Sequence, residues 1–276
     1  MQSTPLIQGQ TTLKSPLTLI TGGSDGIGRA LADLFAERGD QLLLVARNIN
    51  NLRIAADELE RKWGREVHIA SIDLMEQGAA PQLMHDIDAG NFYVKHLINC
   101  AGIGFIGKFA EGHIDGITAL IRLNLSAPTE LTHMCLQSML EHNEGGVLNI
   151  ASLAGLVPLP NLAAYSASKS YLIAFTRALA EELRGSNVNV SVLLPGPVET
   201  NFLNYPSTSE ARLQNLIPMS TPESVARVGY EGYLAGQTII TPGFLNVLYR
   251  FGVKIIPLRF LVRTMNAIFK RSIKND

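Results

Sequence analysis

Tyr165 and Lys169 stand four residues apart at the end of the run SLAGLVPLPNLAAYSASK, which begins at Ser152. On a helix that spacing puts a phenol and an ammonium on one face, one turn apart. A free phenol, with a pKa of ~10, neither gives nor takes a proton readily near neutrality, and a fixed cation beside it favours the phenolate. Bringing it to neutral pH takes about 4 kcal/mol of differential stabilisation at ~1.4 kcal/mol per pKa unit, which Lys169 and a bound cationic ring could supply together. Ser152 ends the apolar run Val147–Ala151, which reads as a buried strand. Its hydroxyl is therefore expected at a strand's carboxyl end, where open α/β sheets take their ligands. Two common residues at helical spacing are by themselves a chance pattern, so the weight must come from the elements around them.

Those elements alternate. Leu17–Thr21 is an apolar run followed at once by Gly22-Gly23-Ser24-Asp25-Gly26-Ile27-Gly28 and then by helical periodicity from Arg29 to Arg38. Strand, glycine loop and helix in that order let a backbone approach a pyrophosphate, whose charge the helix start favours. Residues 41–46 form a second strand, ending where an NAD site usually offers an acid to the ribose 2'-hydroxyl. Here Ala46 and Arg47 stand instead, and a guanidinium pairs with a 2'-phosphate, so NADP(H) is expected. Residues 51–63 read as helix, 67–72 as a third strand and 76–89 as helix. Asp73 either takes an adenine amino group or caps the helix that follows. His96–Gly102 reads as a fourth strand whose small last residues leave room for a ribose.

Residues 103–114 read as a glycine-rich loop and 115–141 as one long helix carrying Asn124. A mid-helix glycosylation triplet at Asn124-Leu125-Ser126 is a false positive in an apparently cytosolic chain. After the Ser152 strand and a helix over 162–184 comes a sixth strand, 188–194, ending in Pro195-Gly196-Pro197-Val198-Glu199-Thr200. Prolines there stop a helix and set a rigid turn. Residues 201–220 are irregular, as lid loops are; 222–235 is helix and 238–241 a last strand. The whole implies one doubly wound parallel α/β sheet, Rossmann-like, with helices on both faces.

Composition narrows the function classes. A net charge of -1 and pI near 6.6 supply no global basic field for nucleic acid. Cys100 and Cys135 lack CxxC spacing and read as reduced thiols, and the six histidines hold no HxxxH pair, so no metal is expected. Residues 1–15 have no apolar core and read as a flexible leader, ahead of a catalytic domain over 16–241 and a tail over 242–276.

Taken together, the glycine loop ending at Gly28, Asn99-Cys100-Ala101-Gly102, Asn124, Ser152, Tyr165-x-x-x-Lys169 and Pro195–Thr200 closely resemble the short-chain dehydrogenase/reductase family. They match its compact oxidoreductase branch over residues 16–241. The family's usual Asn-Asn-Ala-Gly has Cys100 for its second asparagine, which is expected to alter a local hydrogen bond and spare the chemistry. The resemblance implies Tyr165 as general acid/base, Ser152 orienting the substrate oxygen, and Lys169 lowering the tyrosine pKa while holding the nicotinamide ribose. Asn124 would anchor a water joining Lys169 to solvent. It implies cofactor contacts at Gly22, Ser24, Asp25, Gly26, Ile27, Gly28, Arg47, Asp73, Leu74, Asn99, Ala101, Gly102, Tyr165, Lys169, Pro195, Gly196, Val198 and Thr200. Hydride passes between nicotinamide C4 and a carbonyl carbon, with reduction the expected direction if NADPH is used. The helices at 115–141 and 162–184 resemble the family's dimer-forming pair, so a homodimer or tetramer is expected. A catalytically idle NADP-binding regulator or scaffold is the competing reading, and the intact quartet argues against it. Apolar points at Leu156, Val157, Leu159, Phe202 and Tyr205 lean towards a lipophilic ketone or aldehyde.

The tail departs from the family. From Phe244 onward seven Lys/Arg meet one Asp, leaving 16 bases and 23 acids before it, so a body of -7 carries a tail of +6. Residues 244–256 and 258–271 read as two amphipathic helices separated by Pro257. Neither reaches the ~20 apolar residues a membrane span needs. They suit either an anionic membrane interface, making the protein cytoplasmic and peripheral, or packing over the substrate pocket or another subunit.

Overall fold

Successive side chains of a strand point to opposite faces, so a strand apolar at every position must be covered on both. The first strand, β1 (Ser15–Thr21), obeys this rule: Leu17 and Leu19 go to one side, Ile20 to the other. The computed structural model describes residues 14–199 and 219–273. It contains one parallel seven-stranded sheet built from β1, β2 (Leu42–Ala46), β3 (Val67–Ser71), β4 (Phe92–Asn99), β5 (Gly145–Ile150), β6 (Val188–Leu193) and β7 (Ile239–Ile240). The order is β3-β2-β1-β4-β5-β6-β7, so the direction in which successive strands are added reverses between β1 and β4 while all strands stay parallel. Ligands bind at the strands' carboxyl ends beside such a crossover.

On one face lie α1 (Gly26–Arg38), α2 (Ile49–Trp63) and α7 (Pro222–Leu234), burying Phe35, Leu52, Leu59 and Tyr233 against Ile20, Leu44 and Ile98. Full burial of a side chain such as Phe35 contributes about 2–3 kcal/mol. On the other face α3 (Ala79–Ala89), α5 (Ala127–His142) and α6 (Ala163–Glu182) cover Leu19, Val45, Leu97 and Val147. The tail forms α8 (Phe244–Ile255) and α9 (Leu258–Ile273), on either side of Pro257. No described helix is long and apolar enough to cross a membrane.

Several elements differ from expectation. The helix expected from residue 76 starts at Ala79, after a turn that Asp73 holds by accepting from the Met75 N–H at 2.9 Å. The fourth strand starts at Phe92 and ends at Asn99, because β1 pairs with it from Ser15 onward through a register shift between Leu17 and Thr18. The single helix expected over 115–141 is interrupted. α4 (Ile114–Ile121) passes into a π turn over Arg122–Ser126, where the Ala127 N–H reaches back to the Arg122 carbonyl, before α5 begins. Such turns mark places where side chains compete with the helix ladder.

Candidate active site

The glycine loop is shaped by contacts that only glycine tolerates. A Cβ on Gly28 would stand 2.2 Å from the Gly22 carbonyl oxygen, and Gly22, at φ +68°, would put one 3.0 Å from the Ala101 nitrogen. The small residues that follow β4 thus also seat this loop. Thr21 Oγ1 fixes the same corner by accepting the Cys100 and Ala101 N–H groups, each at 3.1 Å. Asp25 caps α1 one turn earlier than expected, accepting from the Gly26 N–H at 2.7 Å, so its carboxylate serves the helix start. Ser24, Gly26 and Ile27 are half-buried around it. A close-approach turn opening a helix N-terminus is the donor set a pyrophosphate takes, so these residues fit a dinucleotide.

Around that corner the other expected cofactor residues divide. Arg47, at the end of β2, has a half-exposed side chain 3.9 Å from Asp73 Oδ2. Leu74 is buried in the core. Asn99 turns its side chain into the sheet, donating to Thr132 Oγ1 at 3.2 Å and Asn149 Oδ1 at 2.9 Å, while Asn149 donates on to Thr176 Oγ1 at 2.9 Å. Its amide therefore braces the strand end. Cys100, the departure from the family pattern, receives the Gly28 N–H at its sulfur, but burial outweighs this and pushes its thiol up to about 12. Pro195 accepts the Leu153 N–H at 3.0 Å, tying the β6 turn to the Ser152 loop, and Val198 bridges to Ser220. Gly196 packs against Asn246 of the tail. Thr200, Phe202 and Tyr205 lie outside the described residues.

Ser152 follows β5 in extended backbone, and its Oγ accepts the Ala154 N–H at 3.1 Å, holding the short turn Leu153–Leu156. Gly155 lets that turn back onto α6 at Lys169, where a Cβ would come within 2.6 Å of the Lys169 carbonyl carbon. The same hydroxyl bonds Tyr165, so the two catalytic candidates meet. Burial pushes the Tyr165 phenol up to about 12, with the Ser152 bond pulling weakly the other way. This reverses the direction expected from its lysine. Lys169 Nζ lies 5.9 Å from the Tyr165 ring centroid and donates to the Ile150 carbonyl at 2.9 Å. Lys169 is only 5% exposed, and burial pushes its pKa down to about 8.

Asn124 explains the π turn. Its amide accepts the Ile103 N–H at 3.0 Å, donates to the Ile103 carbonyl at 2.9 Å and donates to Ser168 Oγ at 3.1 Å. Ser168 Oγ in turn donates to the Tyr165 carbonyl at 2.7 Å. Thr21 and Ser168 were not singled out as site residues; the available signal was hydroxyls beside the catalytic spacing on segments too apolar to leave them unpaired. Of the expected apolar lining, Val157 is core at 2% exposure, whereas Leu156 and Leu159 are half-buried. Among the described residues no group of His, Cys, Asp and Glu is arranged as metal ligands would be.

The short chain dehydrogenase family model matches residues 16–211. A short chain dehydrogenase of Pseudocercospora fijiensis is 34% identical over 71% of this chain, and dehydrogenase/reductase SDR family member 7B of Mus musculus is 31% identical over 71%. The chain spans 63% and 62% of their lengths. A short-chain dehydrogenase from Sphingobium yanoikuyae, solved with NADPH, superposes with a TM-score of 0.76 at 27% identity, covering 83% of this chain and 88% of that one. One from Burkholderia phymatum, solved with NAD, gives 0.75 at 26%, covering 83% and 89%. The family model spans residues 16–211, which hold the glycine corner, the change of strand order beside β1 and the Ser152–Tyr165 contact, and the chain belongs to the short-chain dehydrogenase/reductase family of oxidoreductases.

Proposed function

We propose that this chain is an NADP(H)-dependent oxidoreductase that reduces a lipophilic ketone or aldehyde to the alcohol. The observation that carries the reading is the meeting of the Ser152 and Tyr165 hydroxyls one helical turn from buried Lys169. NADPH, when bound, supplies the hydride. Tyr165, protonated throughout the neutral range, donates its proton to the carbonyl oxygen, and Ser152 holds that oxygen by a hydrogen bond. Lys169, placed by Ile150, would hold the nicotinamide ribose and ease the phenolate that proton donation leaves behind. Asn124 sets the Lys169 helix through Ser168 and, as a further proposal, anchors water on the route to solvent.

Gly22, Ser24, Gly26, Ile27 and Gly28 would take the pyrophosphate, with Asp25 capping the helix beneath it. Asp73 and Leu74 would flank the adenine, and Ala101, Gly102, Pro195, Gly196, Val198 and Thr200 the ribose and nicotinamide. Arg47 supports NADP(H) over NAD(H), because its guanidinium stands where a 2'-phosphate would be read. An idle scaffold is disfavoured. Burying an ammonium with no carboxylate partner among the described residues destabilises a fold, and chemistry at Tyr165 is a reason to keep it.

Leu156, Leu159 and the apolar tail support a lipophilic substrate. We further assign residues 16–241 to the catalytic domain, the helical stretches 115–141 and 162–184 to a homo-oligomer contact, and 244–274 to a membrane surface. The test is NADPH oxidation against steroid, fatty-acyl, sugar and quinone carbonyls, with Tyr165→Phe as control. Turnover confined to apolar carbonyls and lost in the variant is expected; no turnover, or turnover equal in the variant, overturns the reading.

A further inference from the structure

An amphipathic helix normally folds with its apolar stripe inward. α8 is turned the other way. Phe244, Leu248, Phe251 and Ile255, spaced four, three and four residues apart on one stripe, are 76, 52, 51 and 84% exposed. Leu245 beside them is exposed too, and the strip continues past Pro257 into Leu258 and Phe260. The inner face instead carries Asn246, Tyr249 and Val253, all half-buried. Asn246 donates to the Pro242 carbonyl at 2.6 Å and lies against Gly196, and α8 packs on the turn Leu153–Leu156 that follows Ser152. The side of this helix that faces the body is thus mixed, with Asn246 and the Tyr249 phenol beside Val253, while its wholly apolar stripe faces out.

Basic residues flank the outward strip. Exposed Lys254 places Nζ 5.5 Å from the Phe251 ring centroid, exposed Arg259 its guanidinium carbon 5.1 Å from that of Phe260, and half-buried Arg250 its guanidinium carbon 4.9 Å from Phe251 on the same flank as Lys254. Arg263 is exposed one turn further on. No acid occurs from Gly232 through Asn275, so nothing in the tail offsets them. An exposed apolar patch of this extent needs an occupant. A second copy docking strip to strip would set two tails of +6 face to face, and nucleic acid would use the bases while leaving Phe244, Leu248 and Ile255 in water. Negatively charged headgroups over acyl chains satisfy both components at once.

We infer that the outward stripe of α8 and the first turn of α9 seat in the headgroup layer of an anionic bilayer, with the Ser152 and Gly196 loops directly behind them. This rests on the membrane reading above and adds the face, the lipid charge and the orientation of the site. Substrate then reaches Ser152 and Tyr165 from the lipid side, which specifies a membrane-dissolved carbonyl compound.

The test uses the full chain with vesicles of phosphatidylglycerol and phosphatidylcholine, or of phosphatidylcholine alone. Co-sedimentation with the anionic vesicles at low salt, weakened by salt and nearly absent with neutral ones, is expected. Lys254→Gln with Arg259→Gln should weaken anionic binding about tenfold or more. In a Trp63→Phe background, the fluorescence of Ile255→Trp should be quenched by brominated lipid, and that of Tyr249→Trp should not. No sedimentation with anionic vesicles overturns the membrane reading itself. Sedimentation with quenching at 249 and none at 255 overturns the face assigned here while leaving membrane contact standing. Conversion of an oligomer to monomer by Phe251→Ser, with vesicle binding unchanged, gives the stripe to a second copy and also overturns the inference. Thermal melts of these variants, all at exposed positions except the half-buried Trp63 and Tyr249, separate lost binding from lost folding.

Discussion

Lys169 is held by the carbonyl of Ile150 at 2.9 Å, not by the Tyr165 ring, whose centroid is 5.9 Å from the ammonium. Ile150 is the last residue of β5, and Ser152 lies two residues beyond it. One strand end therefore positions the hydroxyl that meets Tyr165 and the ammonium that stands behind it. With its phenol pushed up to about 12, Tyr165 keeps its proton across the neutral range, the state a carbonyl reduction needs at its start.

Tyr165→Phe removes the transferable proton and keeps the ring. Turnover should fall by about 10²–10⁴, the usual contribution of a positioned acid, while cofactor affinity stays within a factor of about two. Steady-state rates with NADPH fluorescence titration measure both. Near-normal turnover would remove Tyr165 from the chemistry.

Lys169→Met separates function from stability. The lysine's pKa drops from 10.5 to about 8 in the fold, equivalent to roughly 3 kcal/mol of stability missing at neutral pH. Between pH 8 and 10.5 the unfolded chain binds a proton that the native one does not, so native stability contributed by this group rises with pH through that window. The variant should lack that rise. Allowing about 1 kcal/mol for the lost bond to Ile150, it should be more stable than the natural protein by about 1–2 kcal/mol at pH 7. It should also bind NADPH more weakly and turn over poorly. Urea unfolding at pH 7 and 9.5 decides, and a destabilised variant at pH 7 would contradict the burial penalty.

Asn124→Ala leaves the Ile103 N–H and carbonyl, and Ser168, without their buried partner. A cost of about 2–4 kcal/mol in urea unfolding is expected, since each orphaned buried group costs roughly 1–3 kcal/mol. Ser168→Ala cuts only the link between Asn124 and α6, and should cost about 1–2 kcal/mol. Equal and negligible losses in both variants would mean the π turn is held by other contacts.

What was legible beforehand follows from the range of each interaction. The strands, the glycine loop and the Tyr165–Lys169 face are local patterns, written within a few residues, and the parallel, doubly wound character of the sheet follows from their alternation. The break at Arg122–Ser126 was not legible, because Asn124 makes it by bonding Ile103, 21 residues away. Asn99 likewise turns inward only because Thr132 and Asn149 arrive from other elements. The tail's periodicity told which residues share a side and left open which side meets the protein. Asn246 against Gly196 decides it, a contact between residues 50 positions apart. The raised phenol of Tyr165 escaped for the same reason: spacing placed Lys169 near it, but burial among elements that arrive from elsewhere in the chain pushes the phenol up.

Arg47→Ala tests cofactor choice. Arg47 stands at the end of β2 with a half-exposed side chain, 3.9 Å from Asp73, the carboxylate that neighbours it. At that distance and exposure the ion pair contributes little to stability, so the guanidinium is available to a second anion at small cost. A 2'-phosphate would gain one or two charge-assisted bonds there, each worth roughly 1.5–3 kcal/mol. Removing them should weaken NADPH by about tenfold or more while NADH affinity moves by less than about twofold. The difference should shrink as salt rises, since an exposed charge pair is screened. Fluorescence titration of both cofactors at two ionic strengths measures it. Equal weakening of NADPH and NADH would show that Arg47 supports the fold of the β2 turn and does not read the phosphate.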